Sequence, residues 1–184
     1  MKKTLSVAMI AFFALTVPAL AGIDEGNGEI GFDYGNTDYD NNTGLDSSDS
    51  LSLRGGYFMS RMLEIEGQYI SSDDSSFGTD VDMNFLMVNG VFNFHPSETI
   101  VPFVMAGVGR ANVEVSVPSF LGLPGFSVDD SSLAYQIGGG TRWFFGKEKR
   151  AALRFDLSLV NEDTFDESST HTTFAGGFSW RLGN

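Results

Sequence analysis

Leu63-Glu64-Ile65-Glu66-Gly67-Gln68-Tyr69 is the stretch that decides the fold. Leu63, Ile65 and Tyr69 fall on one parity and Glu64, Glu66 and Gln68 on the other, the period-2 pattern of a strand with one apolar and one polar face. The same alternation recurs on both sides of it. Upstream, a first strand spans about Glu29 to Tyr39, where Ile30, Phe32 and Tyr34 alternate with Glu29, Gly31 and Asp33. A second, about Leu51 to Met59, sets Leu51, Leu53, Gly55 and Tyr57 against Ser52, Arg54 and Gly56.

Downstream, a fourth strand runs from about Asp80 to Phe94. Val81, Met83, Phe85 and Met87 share one parity, but Phe92 and Phe94 lie on the other, which predicts a bulge near Asn89-Gly90. A fifth, Ile100 to Val117, ends with Ala111, Val113, Val115 and Val117 alternating with Arg110, Asn112, Glu114 and Ser116. The sixth, Leu133 to Phe145, opposes Gln136, Gly138, Gly140 and Arg142 to a face that carries Tyr135, Ile137, Trp143 and Phe145. The seventh sets Leu153, Phe155, Leu157 and Leu159 against Arg154, Asp156 and Ser158, and the eighth sets Phe174, Gly176, Phe178, Trp180 and Leu182 against Ser179 and Arg181.

Short turns follow the second, fourth and sixth strands, at Ser60-Arg61, His95 to Glu98 and Gly146 to Arg150. Longer loops follow the first, third, fifth and seventh: Asp40 to Ser50, Ser71 to Thr79 and about Glu162 to Ser169 are acidic and rich in turn formers, while Pro118 to Asp130 is largely apolar at its start. Antiparallel neighbours therefore gather the long loops at one end and the short turns and both termini at the other. An even strand count with asymmetric connections predicts an all-β, eight-stranded antiparallel transmembrane up-and-down β-barrel with short periplasmic turns and long extracellular loops.

Residues 1–21 read as a cleavable secretory signal peptide. Lys2 and Lys3 precede an apolar run from Leu5 to Val17, and Ala19-Leu20-Ala21 fits the small-x-small cleavage pattern, with Gly22 as the first mature residue. That apolar run is shorter than the roughly 20 residues a spanning helix needs. Residues 22–184 form one domain, the barrel. Removal of the two lysines moves the formal charge from −13 to −15, a balance that argues against a nucleic-acid partner. The chain has no Cys, so no disulfide framework.

A soluble barrel would also alternate, but the lysines speak for a membrane. Past the signal only Lys147 and Lys149 occur, both in one turn, whereas a wet sheet scatters lysine over its faces and edges. Tyr57, Tyr69, Trp143, Phe145, Phe178 and Trp180 gather near strand ends as interfacial girdles do. An arginine facing lipid at mid-membrane costs roughly 2–4 kcal/mol. Arg54, Arg110, Arg142, Arg154 and Arg181 are therefore expected to point inward and to pair there with Glu29, Asp33, Glu64, Glu66, Glu114 and Asp156. Eight strands leave a lumen that side chains can fill, so this charge set reads as a plug, or alternatively as the lining of a narrow pore.

The chain resembles the small eight-stranded outer-membrane β-barrel family, the OmpA/OmpX-like group. The carriers are Val101-Pro102-Phe103-Val104-Met105-Ala106-Gly107-Val108-Gly109, Ala134-Tyr135-Gln136-Ile137-Gly138-Gly139-Gly140-Thr141-Arg142 and the aromatic last strand. The resemblance implies a location in the outer membrane of a Gram-negative bacterium, reached through the periplasm. It also implies contact with outer-membrane lipid and lipopolysaccharide, and insertion by the barrel-assembly machinery. Family members usually end on an aromatic residue, whereas this chain ends Arg181-Leu182-Gly183-Asn184.

The expected role is non-enzymatic: envelope integrity or surface interaction through the outer loops. A narrow porin-like channel for small solutes or hydrophobic molecules is the alternative, and a lipid A-modifying enzyme the second. The last would need a His beside a nucleophile. Of the two histidines, His95 falls in a short turn and His171 near Ser168, Ser169 and Glu167. No spacing marks a cofactor, a metal site or a catalytic group. The apolar loop stretch with Phe120, Leu121, Leu123 and Phe126 is the candidate contact for an extracellular protein or hydrophobic ligand, since exposed apolar patches often mark such sites.

Overall fold

Each strand of this chain offers lipid an apolar face, most carry polar groups on the other, and the fold satisfies both by closing. The computed structural model describes residues 23–38, 47–76, 79–117, 126–146, 148–164 and 167–183. Its strands are β1 (Gly28–Asp38), β2 (Ser48–Phe58), β3 (Leu63–Ser76), β4 (Thr79–Asn93), β5 (Ile100–Val117), β6 (Phe126–Phe145), β7 (Ala151–Thr164) and β8 (Glu167–Leu182). Each pairs antiparallel with its neighbours, and β1 pairs with β8 to complete a closed barrel. No backbone edge is left for lipid, which cannot satisfy one.

Register fixes the barrel's shape. The pairing leads from Gly28 to Tyr57, Ile65, Gly90, Ala106, Ile137, Leu159 and Thr172, and returns to β1 at Asp38, ten residues above the start. With ordinary strand rise and spacing, that stagger tilts the strands by roughly 40° and gives a backbone radius of roughly 8 Å. The lumen of such a barrel is its core.

The outer face carries an apolar band: Ile30 and Tyr34, Leu51 and Leu53, Ile65 and Tyr69, Leu86 and Val88, Val104 and Val108, Leu133 and Ile137, Leu157 and Leu159, and Phe174 are all exposed there. Toward the end away from the short turns, each strand then turns polar on that face, at Asn36, Asp49, Ser71, Asn84, Arg110, Ser131, Asn161 and Thr172. That transition marks the upper edge of the lipid-facing band.

Three expectations are corrected here. β3 and β4 pair without interruption from Leu63↔Phe92 to Ser76↔Thr79, so Asn89-Gly90 holds no bulge. The parity switch has another cause: Met83, Phe85 and Met87 point into the lumen and Phe92 points out. The acidic segments Ser71–Ser76 and Glu162–Thr164 are strand, because the hairpins continue past the apolar band. β6 likewise begins at Phe126, paired with Val117, rather than at Leu133.

Candidate functional site: the charged lumen

Glu66 lies at the centre of the lumen, 1% exposed. Its Oε2 accepts from Nη1 of Arg154 at 2.5 Å and from Nη1 of Arg54 at 3.3 Å, and Nη2 of Arg142 lies 3.8 Å away. Three guanidiniums from β2, β6 and β7 thus converge on one carboxylate from β3. Each also holds a second acid. Arg54 grips Asp33 with Nε at 2.5 Å and Nη2 at 2.7 Å, a bidentate fork. Nε of Arg154 donates to Asp156 at 2.8 Å, and Nη2 of Arg142 donates to Glu64 at 2.7 Å. Nε of Arg142 lies 3.2 Å from Glu29.

Apolar and amide side chains complete the packing. The Phe103 ring lies under two guanidiniums, with its centroid 4.8 Å from Cζ of Arg142 and 4.4 Å from that of Arg154. Asn93 accepts from Arg142, and Gln68 bridges Asn89 and Ser52. Glycines on neighbouring strands make the space: a Cβ at Gly31 would strike the Arg54 guanidinium, and one at Gly56 the Glu64 carboxylate.

Burying these charges costs several kcal/mol per ion, which only such multiply bonded geometry offsets. The network therefore holds a specific arrangement rather than adding much net stability. It also fills the lumen. The cavity above it, lined by Asp33, Ser52, Gln68, Met105, Asp156 and Thr173, offers about 10 Å³, room for about one water.

Glu29, Asp33, Arg54, Glu64, Glu66, Arg142, Arg154 and Asp156 are thus brought together inside the barrel. Arg181 is also buried, across the β1–β8 seam from Glu29, but makes no ion pair with a carboxylate among the described residues. It stacks on Phe144 at 5.0 Å and donates to the Lys149 carbonyl. Arg110 and Glu114 do not belong to the set, a correction of the expectation that they face inward. In β5 the inward parity is that of Val101, Phe103, Met105, Ala111 and Val113, so both charges emerge on the outer face. Arg110 does so at the upper edge of the apolar band, in register with Leu86 and Leu133, and donates to Ser131; Glu114 lies higher on the same face.

The upper lumen is asymmetric. Ile70, Met83, Phe85, Met87, Ala111, Val113, Ala134 and Val160 form an apolar cluster on the β3–β7 side. Hydroxyls line the other side, where Thr37 meets Thr173 at 2.9 Å and Ser48 meets Ser72 at 2.5 Å. His171 is buried here, Nε2 3.3 Å from Glu162 and its ring 6.1 Å from that of Phe85. Ser132 donates to the same Glu162 carboxylate at 3.2 Å. Hydroxyl and imidazole both turn to the acid. His95 is exposed in the β4–β5 turn with φ of 51°.

On the outer face Tyr57, Trp143 and Phe145 are exposed near the short-turn ends of their strands. Phe178 and Trp180 lie half-exposed beside them, ring centroids 6.4 Å apart, and Phe145 is 6.1 Å from Phe178. Tyr69 lies higher, near the polar transition, and its hydroxyl donates to Asn84 at 2.8 Å. Tyr34 and Tyr135 stand on the same face and were not singled out from the sequence, although their parity and neighbours would have found them. Ala19, Ala21, Gly22, Phe120, Leu121 and Leu123 lie outside the described residues, and Phe126 opens β6. Among the described residues no group of acids and histidines is placed to hold a metal ion.

The family described as outer membrane protein beta-barrel domain matches residues 7–181. Among solved structures, Neisserial surface protein A superposes with a TM-score of 0.72 at 12% identity, over 85% of this chain and 99% of that one. Ail, the attachment invasion locus protein of Yersinia pestis, gives 0.56 at 18% identity over 86% and 99%. The outer membrane protein OprG from Pseudomonas aeruginosa gives 0.58 at 12% over 89% and 99%. At these identities the likeness is one of fold. A comparison with curated protein sequences finds no match.

Proposed function

The chain belongs to the outer membrane protein β-barrel domain family, and from that premise we propose that it is a non-conducting scaffold that acts through its extracellular end. Its place is the outer membrane of a Gram-negative envelope. The observation that carries the proposal is Glu66 tied to Arg54 and Arg154 at the lumen centre, with Arg142 beside it. A solute would have to break several bonds between fully buried charges, and each broken pair leaves an uncompensated ion.

The role is then envelope integrity or surface interaction. The apolar band takes outer-membrane acyl chains, the aromatic residues at its lower edge sit at the periplasmic interface, and the barrel-assembly machinery inserts the chain. Residues 1–21 are the export signal that brings it there. Neisserial surface protein A and Ail, whose names speak of surface and attachment, support a surface role by analogy of fold only.

Ail has also been solved with the heparin analogue sucrose octasulfate. This chain's outer end favours a different partner class. Asp38, Asp49, Asp82, Glu114 and Asp129 lie there with Arg110 as the counter-charge on β5, a field that repels polyanions. Planar-bilayer recording of refolded residues 22–184 tests the reading. A silent bilayer is the expected result, and reproducible discrete openings absent from a heat-denatured control would refute it.

A further inference from the structure

Residues 23–27 precede β1, yet they do not simply trail away from it. In the ring of strands β1 lies opposite β5. The Ile23 amide nonetheless donates to the carbonyl of Pro96, in the turn between β4 and β5, at 3.3 Å. The segment therefore crosses the diameter of the short-turn mouth. Three further contacts hold it there, and a turn within the segment sets its bend. The Gly26 amide donates to Phe58 at 2.8 Å, and the Phe58 amide donates to Asn27 at 2.9 Å. Asp24 pairs with Arg61 at 3.1 Å, and a turn joins the Asn27 amide to the Asp24 carbonyl.

The crossing sets one side chain into the opening. Ile23 is 1% exposed and packs with Phe58, Val101, Phe144 and Ala152, from β2, β5, β6 and β7. Those residues are the lowest inward positions of their strands, so together with Ile23 they form an apolar floor. Above that floor are buried polar atoms without a protein partner: Oε2 of Glu29, Oε1 of Glu64, Oγ of Ser179, and Nε and Nη1 of Arg181. Donors and acceptors thus mix above the floor and make that level of the lumen polar.

We propose that residues 23–27 are a strap that seals the periplasmic mouth independently of the charge network. Its release turns the space beneath Arg142 into a polar vestibule open to the periplasm. The strap can leave without disturbing the wall, because its bonds run to one turn carbonyl, one strand end and an exposed ion pair. Conduction would still be blocked above by Glu66 and its arginines, so the two seals are separable.

The chain contains no Cys, which makes a single introduced thiol a clean reporter. Ser179→Cys places it inside the floor, where Ser179 is 1% exposed. The refolded barrel is treated in detergent with a charged, membrane-impermeant maleimide. Expected labelling is at least about tenfold slower than in the urea-unfolded chain. Two strap variants should each restore fast labelling. Ile23→Asp puts a charge on the apolar floor. Gly26→Val forces a β-branched residue to φ of +86°, although its Cβ would meet nothing within 4 Å.

Heat-modifiable gel mobility certifies that each barrel is folded, and a variant that fails is read through the other. Fast labelling with the strap intact would overturn the proposal, as would protection that persists in a folded strap variant. Failure of both variants to fold would overturn it too, since the segment would then be part of the barrel's folding core.

Discussion

The lower and upper halves of the lumen solve the same packing problem with opposite chemistry. Below, three arginines and five carboxylates interlock around Glu66 and Arg142, and no side chain can leave without stranding a charge. Above, methionine, phenylalanine and small aliphatic side chains face serine and threonine hydroxyls across a space for about one water. The lower half is rigid because each partner is over-determined. The upper half can repack, since Met adapts its shape and hydroxyls exchange partners cheaply. Closure therefore belongs to the lower half, and variation in the upper half leaves the lumen shut.

Removal of Glu66 should break this contrast most severely. Glu66→Ala leaves Arg54 and Arg154 facing each other without their shared acid, and loss of one member of a buried pair typically costs about 3–5 kcal/mol. Urea unfolding of the refolded barrel, followed by fluorescence of Trp143 and Trp180, should show that loss. A change under about 1 kcal/mol would mean that water already shields these charges.

Gly56→Ala probes the same region through space rather than charge. The new Cβ would collide with the Glu64 carboxylate, which cannot swing aside because Arg142 holds it at 2.7 Å. Overpacking of this kind costs about 1–3 kcal/mol. Gly55→Ala is the matched control: it lies on the outer face of the same strand, where a Cβ meets nothing within 4 Å, and its unfolding midpoint should barely move.

In the upper half the corresponding test should be almost silent. Thr37 and Thr173 bond to each other across the β1–β8 seam. Replacing both with Val removes donor and acceptor together and keeps the shape, so the double variant should stay within about 1 kcal/mol of the parent in the same unfolding measurement. Either single replacement should cost more than the double, because it strands the other hydroxyl.

Much of this fold was legible because period 2 survives in every strand, from Leu63–Tyr69 to Phe174–Leu182. The lower network was legible too, in its membership: charges opposite an apolar stripe have nowhere to go but inward. Its partners were not. Arg142 and Glu64 are 78 residues apart, and only the ten-residue stagger around the barrel brings them face to face. The upper half misled, because the inference that apolar means lipid-facing holds only where the lumen is charged. Met83, Phe85, Met87, Ala111 and Val113 are apolar and inward, and the charges beside them on β5 had to emerge outside. The strap was invisible for a different reason: Ile23 carries no pattern, and its burial depends on a turn some seventy residues away.

Arg110 gives the sharpest test of that inversion, and it should show the smallest effect. Were its guanidinium in the lumen, Arg110→Ala would strand a buried carboxylate and cost several kcal/mol, as at Glu66. On the outer face at the upper edge of the band it donates to Ser131 across the β5–β6 hairpin, an exposed site where single substitutions usually stay within about 0.5 kcal/mol. Glu114→Ala should behave alike, since Glu114 lies two outward positions higher and is paired across strands with Asp82 and Asp129. Like charges placed opposite one another repel, so its sign should be neutral to slightly stabilising at low salt, and the gain should fade as salt screens the row. A loss comparable to that of Glu66→Ala at either position would return β5 to the opposite parity and, with it, put Ala111 and Val113 on the outer face.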